Sequence, residues 1–433
     1  MICVIIFSFL FAFINNNHYI TLPFQNYFNE SNENIMESLF FSNIYYNLTI
    51  GTPKQNFPIL IKFNYYYFSL NDKNSENSYY FNEDLSNSYV QLSNRSITDY
   101  SEFNNGYKSE DKFLIENNNY RLYFICSNKN KNHNIFGGTL GLSLQKNDKE
   151  KDFNFIEYMV KKNIIDDYSV SISYSNKNEG ILSIGSYLYK RDKNYKESDF
   201  KSDSSSLSFW TWNVKAVIVG EKLNLYTKNL LHYPELGVII GNKDYYDYIN
   251  DFFNKYSECE KETVKIEDDE LYMYPNHDDK QYIYFKCMKD FQINKLENIL
   301  FDMNIIESNF ILDYNDLFYE YKNSYYFLII FPASIEDYFD EEYNNIILGS
   351  PFYKKYNVTF DMNRKSVGVY KKSIYKKNTN YGPYIFLFIL IGIILFLLYY
   401  AFYVKKITLK KNNFKNIFND DFEYKTSFYS GLK

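Results

Sequence analysis

Between residues 15 and 381 the apolar residues of this chain fall in short runs, most of them broken after a few positions by Asn, Asp, Ser or Gly. No other feature limits the fold as strongly, because a short apolar run bounded by turn formers reads as a strand. Few helical apolar periods occur outside Asp152 to Lys162 and Tyr245 to Tyr256. The expected class is therefore mostly β. Tyrosine (48) and phenylalanine (40) are so abundant that aromatic runs such as Tyr65-Tyr66-Tyr67-Phe68 are expected to fill strand faces rather than form binding platforms.

The 433 residues allow two to three domains, and 45% hydrophobic residues suffice for a core. A net charge of -6 on a mixed-charge chain excludes nucleic acid as the expected partner. Ile2 to Ile14 are apolar and uncharged, and polar Asn15 to His18 follow, so residues 1–18 read as a signal peptide. The basic start of such a peptide is missing, which leaves an uncleaved anchor as the alternative. From Gly382 to Val404 no charge occurs over 23 residues, about 34 Å as a helix and enough to span a bilayer. Lysines flank this span on both sides (Lys371, Lys372, Lys376 and Lys377 before; Lys405, Lys406, Lys410 and Lys411 after), so they do not orient it. The signal peptide does, and implies a single-pass type I protein with a cytoplasmic tail, 405–433. In that tail Tyr429-Ser430-Gly431-Leu432 fits a Tyr-x-x-apolar sorting pattern, short enough to arise by coincidence.

Several motifs follow one another along the rest of the chain. In the first, a strand ends in Ile50-Gly51-Thr52-Pro53, turns through Gln55 and Phe57, and returns as Ile59-Leu60-Ile61 before Lys62. Another apolar run, Leu236-Gly237-Val238-Ile239-Ile240, enters Gly241-Asn242. Between and around them lie Phe81 to Tyr89, Gly106 to Phe113, Phe136-Gly137-Gly138-Thr139-Leu140-Gly141-Leu142, Gly180 to Gly185 and Trp212 to Gly220. The most specific comes last: Ile347-Leu348-Gly349-Ser350-Pro351-Phe352, then Tyr356, Phe360-Asp361 and Val367-Gly368. In this order the chain resembles the pepsin-like aspartic proteases, and with its C-terminal span their membrane-anchored members.

The resemblance implies a bilobal, mostly β fold plus one transmembrane helix. Its parts would be an N-terminal segment 19–40, an N-terminal lobe 41–195, a C-terminal lobe 196–372, a stalk 373–381 and the span 382–404. It also implies two Asp-Thr-Gly loops whose carboxylates, about 3 Å apart, share one proton and activate water. Counting from Gly51 puts the first loop on Lys62, Phe63 and Asn64, and the second apolar run gives Ile240, Gly241 and Asn242. Lysine has no acceptor and isoleucine is inert, so no catalytic residue is expected. Phe63 and Gly241 replace the threonines that brace the two loops in the family, so that brace is expected to be lost. Asn64 and Asn242 replace the loop glycines; asparagine tolerates left-handed backbone, and it is also simply abundant here. Leu140-Gly141 and Ile347-Leu348-Gly349 keep the two strands that cross behind the loops, where glycine admits a second backbone.

Tyr100 is the candidate flap tyrosine, with Thr98 fitting the spacing about as well. Asp72, Asp99 and Asp244 are the carboxylates to weigh as substitutes, against their being surface aspartates. Cys259 and Cys287 lie 28 residues apart in the expected second lobe. In many relatives a cysteine at the Cys287 place bonds one further on, where Tyr325 and Tyr326 stand here, so a 259–287 disulfide is expected in an oxidising lumen. Cys126 is left as a buried thiol. Asn29, Asn47, Asn94 and Asn357 sit in Asn-x-Ser/Thr sequons; Asn47 and Asn357 fall on expected strands, so Asn29 and Asn94 come first. His18, His133, His232 and His277 are scattered, so no metal is expected, and no Gly-rich phosphate loop or Gly-x-Ser-x-Gly points to a cofactor or another nucleophile. The functional expectation is a secretory-pathway or cell-surface pseudoprotease that binds a peptide or protein partner. The alternatives are an active endopeptidase with an unusual site and a structural subunit of a secretory-pathway or surface complex.

Overall fold

A computed structural model describes residues 19–28, 34–73, 78–93, 106–127, 135–143, 154–185, 196–199, 210–212, 216–220, 223–225, 230–266, 281–302, 310–336, 345–364, 366–371 and 390–407. The chain divides into two compact units, 1–372 and 373–433.

The first unit is built of strands for the reason the sequence gives: alternate residues go inward. In Ile20–Asn26 the side chains of Ile20, Leu22 and Phe24 are buried while Pro23 and Gln25 are exposed. Tyr107–Ile115 buries Ser109, Asp111, Phe113 and Ile115 on one face. These strands form three sheets of thirteen, nine and four strands among the described residues. The thirteen-stranded sheet carries the first lobe. At its far end it also takes in Tyr356–Asp361 and Ser366–Lys371, of which Tyr356–Asp361 pairs with Ser169–Tyr174 from the first half of the unit. The nine- and four-stranded sheets make the second lobe, between Thr211 and Leu348.

Aromatic residues dominate both cores. Phe68 packs against Phe113, Phe124 and Phe155 with centroids 5.3, 6.2 and 5.8 Å apart. Phe253 stacks on Phe285 at 4.8 Å and meets Phe291, Phe318 and Phe327. Each such side chain, fully buried, contributes roughly 1.5 to 3 kcal/mol of transfer free energy. The run at Tyr65 departs from expectation: Tyr65, Tyr66 and Tyr67 are half-buried in a loop, and only Phe68 begins a strand.

Both expected helices form, with shifted ends. Phe155–Lys161 begins at Asn154, whose side chain accepts from the Ile156 and Glu157 amides. Lys243–Phe253 begins at Asn242, whose side chain accepts from the Tyr245 amide at 3.1 Å. Tyr245, Ile249 and Phe253, four apart, face the core. Cys259 and Cys287 are joined by a disulfide across neighbouring antiparallel strands, opposite one another in register.

The second unit is described only at Leu390–Ile407, a helix long and apolar enough to cross a membrane, with mean hydropathy 1.8. It runs three residues past the expected end at Val404, taking in Lys405 and Lys406. Long lysine stems let apolar methylenes stay with the helix while the ammonium groups reach water, and cations suit a helix C-terminus. Residues 382–389 lie outside the described residues.

Candidate functional site

Each lobe repeats one construction. An ingoing strand runs parallel to a crossing strand, leaves as a loop, and returns as an outgoing strand on the other side of the crossing strand. In the first lobe these are Gln55–Lys62, Gly138–Gly141 and Phe68–Asn71. In the second they are Leu230–His232, Ile346–Leu348 and Ile239–Ile240. The crossing glycines are forced by packing. A Cβ on Gly141 would stand 2.5 Å from the Tyr65 carbonyl oxygen, and one on Gly349 would stand 1.8 Å from that of Val238.

Register fixes which residues correspond. Lys62 lies opposite Gly141. His232 lies opposite Leu348, so Tyr233 comes next, beside Gly349, and its amide donates to the Leu348 carbonyl at 2.9 Å. The outgoing strands agree. Phe68, opposite Leu140, is six residues past Lys62, and the register Ile240 to Ile347 puts Ile239 opposite Leu348, six past Tyr233. The first loop is thus Lys62-Phe63-Asn64, and its counterpart is Tyr233-Pro234-Glu235.

This corrects the expected second loop. Ile240 lies in the outgoing strand, Gly241 follows it with its amide donating to the Ile330 carbonyl at 2.9 Å, and Asn242 caps a helix at φ -90°. The sequence misled because the outgoing strand has the longer apolar run, Val238 to Ile240, while the ingoing strand shows only Leu230-Leu231 before a histidine. The missed signal was spacing: the six residues from Lys62 to Phe68 recur from Tyr233 to Ile239. Neither Asn64 nor Asn242 adopts the left-handed backbone considered for them.

The loops meet through Glu235. Its Oε1 accepts the Phe63 amide at 3.1 Å and the Asn64 amide at 3.4 Å. The brace expected to be lost with Phe63 and Gly241 is thus replaced by a carboxylate from the other lobe. Phe63 instead fills the interior between the lobes, 5.1 Å from Phe360, which also packs on Trp210 at 4.9 Å. Glu235 is 4% exposed, and its Oε2 has no hydrogen-bond partner among the described residues. Burial pushes the Glu235 carboxyl up to about 7, against the opposing pull of the Lys62 charge and the backbone amides. Lys62 is itself buried. Beside them His232 Nδ1 and the Tyr353 hydroxyl are 2.6 Å apart, and burial lowers His232 to about 3. Among the described residues the junction therefore holds one carboxyl, one lysine and neutral rings, without two adjacent carboxylates.

The remaining candidates fall elsewhere. Asp72 follows the outgoing strand of the first lobe, its amide donating to the Ser127 carbonyl at 2.9 Å, and Asp244 lies in the first turn of the helix Lys243–Phe253. Tyr100, Thr98, Asp99, Asn29, Asn94, His18, His133 and His277 lie outside the described residues. Cys126 is buried and its thiol is raised far above the usual range by burial. Asp111 is fully buried, accepting from Ser86 Oγ at 2.7 Å and Ser88 Oγ at 2.5 Å, which explains the Ser-x-Ser of the Phe81 to Tyr89 motif as framework. Among the described residues no group of His, Cys, Asp and Glu could hold a metal ion.

A family model described as eukaryotic aspartyl protease matches residues 43–372. No curated protein matches the chain.

Proposed function

The chain belongs to the eukaryotic aspartyl protease family, and from that premise we propose that it is a membrane-anchored pseudoprotease that binds a peptide or protein partner without cleaving it. The observation that carries this reading is the pair Lys62 and Tyr233. They occupy matching ends of the two ingoing strands, where the family's chemistry needs two carboxylates sharing a proton. Lysine offers donors only, and a phenol is a poor base. Glu235, the acid of the second loop, already holds the Phe63 and Asn64 amides.

Binding survives the loss of such a pair, because an extended peptide is recognised through backbone hydrogen bonds and side-chain pockets. The apolar helix Leu390–Ile407 supports a membrane anchor, and the family supports placing the lobes on the lumenal or extracellular side. Glu235 also favours a second reading. A lone carboxyl raised to about 7 at the centre of the fold is the group an unusual endopeptidase would use.

One experiment separates the two. The full-length protein in detergent is incubated with a diverse peptide mixture from acid to neutral pH, with and without a statine transition-state inhibitor. Retention of a peptide subset with no inhibitor-sensitive cleavage is the expected result. Cleavage that the inhibitor blocks, and that Glu235→Gln abolishes, would replace the first reading with the second.

A further inference from the structure

Through Glu235 a titrating side chain of one lobe holds the backbone of the other. The tie spans 172 residues of sequence to Phe63 and 171 to Asn64. Phe63 is 1% exposed, Glu235 4% and Lys62 6%, and Asn64 is half-buried. We propose that Glu235 is a pH-operated tie between the lobes, tight as the neutral acid and loosened when the carboxyl loses its proton.

The geometry supports both halves. A neutral carboxyl keeps its carbonyl oxygen for the two amides and buries no charge. The anion accepts the same two amides more strongly, but it places a charge out of reach of water with one oxygen unbonded among the described residues, and only opening of the junction relieves that larger cost of burial. The groups facing it leave it as the titrating acid. From the ingoing strand of the first lobe comes Lys62, whose charge favours the anion. From the strand Ser169–Tyr174 comes Tyr174, and from the helix Ser350–Lys355 comes Tyr353; burial raises both phenols far above their ordinary value, so they stay neutral. His232, bonded to Tyr353, is neutral down to about pH 3.

The sign follows from linkage. Glu235 in the fold titrates at about 7 against an ordinary 4.5, so the folded protein holds that proton more firmly than the unfolded chain. The stability it confers is complete below the ordinary value and is lost as pH rises through about 7. A protein of this kind would hold its lobes most firmly in an acidic compartment and let the floor of its cleft relax at neutral pH.

Thermal unfolding of the full-length protein in detergent, followed by tryptophan fluorescence, tests this against Glu235→Gln, a neutral isostere that keeps the acceptor oxygen. The variant and wild type should melt together at about pH 5, and the variant should melt roughly 5 °C higher at about pH 8. Parallel profiles at both pH values would overturn the proposal. Should the variant not fold, amide exchange of the wild type decides it. Protection of the Phe63 and Asn64 amides, corrected for the intrinsic pH dependence of exchange, should fall about tenfold or more between the same pH values. Equal protection would overturn it. The inference stands on the tie and not on inactivity, so peptide cleavage in the preceding experiment would leave it untouched.

Discussion

At Gly349 a single added carbon would meet the Val238 carbonyl oxygen at 1.8 Å and the Leu236 carbonyl oxygen at 2.6 Å. Both obstacles are backbone, so neither can swing aside. Gly349→Ala should lower stability to urea by about 3 kcal/mol or more, whereas a change at an exposed strand position such as Glu260→Ala should stay within about 0.5 kcal/mol. Denaturation midpoints of the two variants check this, and similar midpoints would mean that the crossing strand is looser than drawn. This glycine was legible because its neighbours, Ile347 and Leu348, make a specific motif with it. Lys62 was legible for a related reason: Gly51-Thr52-Pro53 fixes the turn, and a count along one continuous strand reaches it. Tyr233 and Glu235 were not legible, since a three-residue ingoing strand leaves too little pattern to count from.

Among elements, two strands with the same sequon type have opposite exposures. Ile44–Ile50 shows Asn47 to solvent, while all six residues of Tyr356–Asp361 are buried, Asn357 included. The sequence ranked both low simply for lying on strands. A strand covered on one face still offers every second residue to an enzyme, and a strand covered on both offers none. On expression in a glycosylating secretory pathway, Asn47→Gln should remove one glycan's mass on a gel, and Asn357→Gln should remove none. A mobility shift with Asn357→Gln alone would contradict this assignment. The 259–287 disulfide belongs to the same scale, pinning Cys259–Lys265 to Gln281–Met288. Cys287→Ser should cost roughly 3 kcal/mol in the chain-entropy model, read as a lower urea midpoint.

For the whole molecule, the division at residue 372 separates the lobes from the unit that carries the apolar helix. The full chain should stay with membranes through alkaline carbonate extraction, and a chain ending at Lys372 should be released. Retention of the truncated chain would shift the anchor to another segment. The strand class, both crossing glycines, the two helices and the membrane-length segment were all determined by sequence alone. Each rests on a period, a spacing or a length, and such local patterns survive in one dimension. Tertiary structure alone decided that Tyr233 is the counterpart of Lys62 and that Glu235 reaches Phe63 and Asn64. Those facts depend on strand register and on a hydrogen bond closing across 172 residues. Chain pattern carries no record of such a contact, because only the packed lobes bring its donor and acceptor within reach.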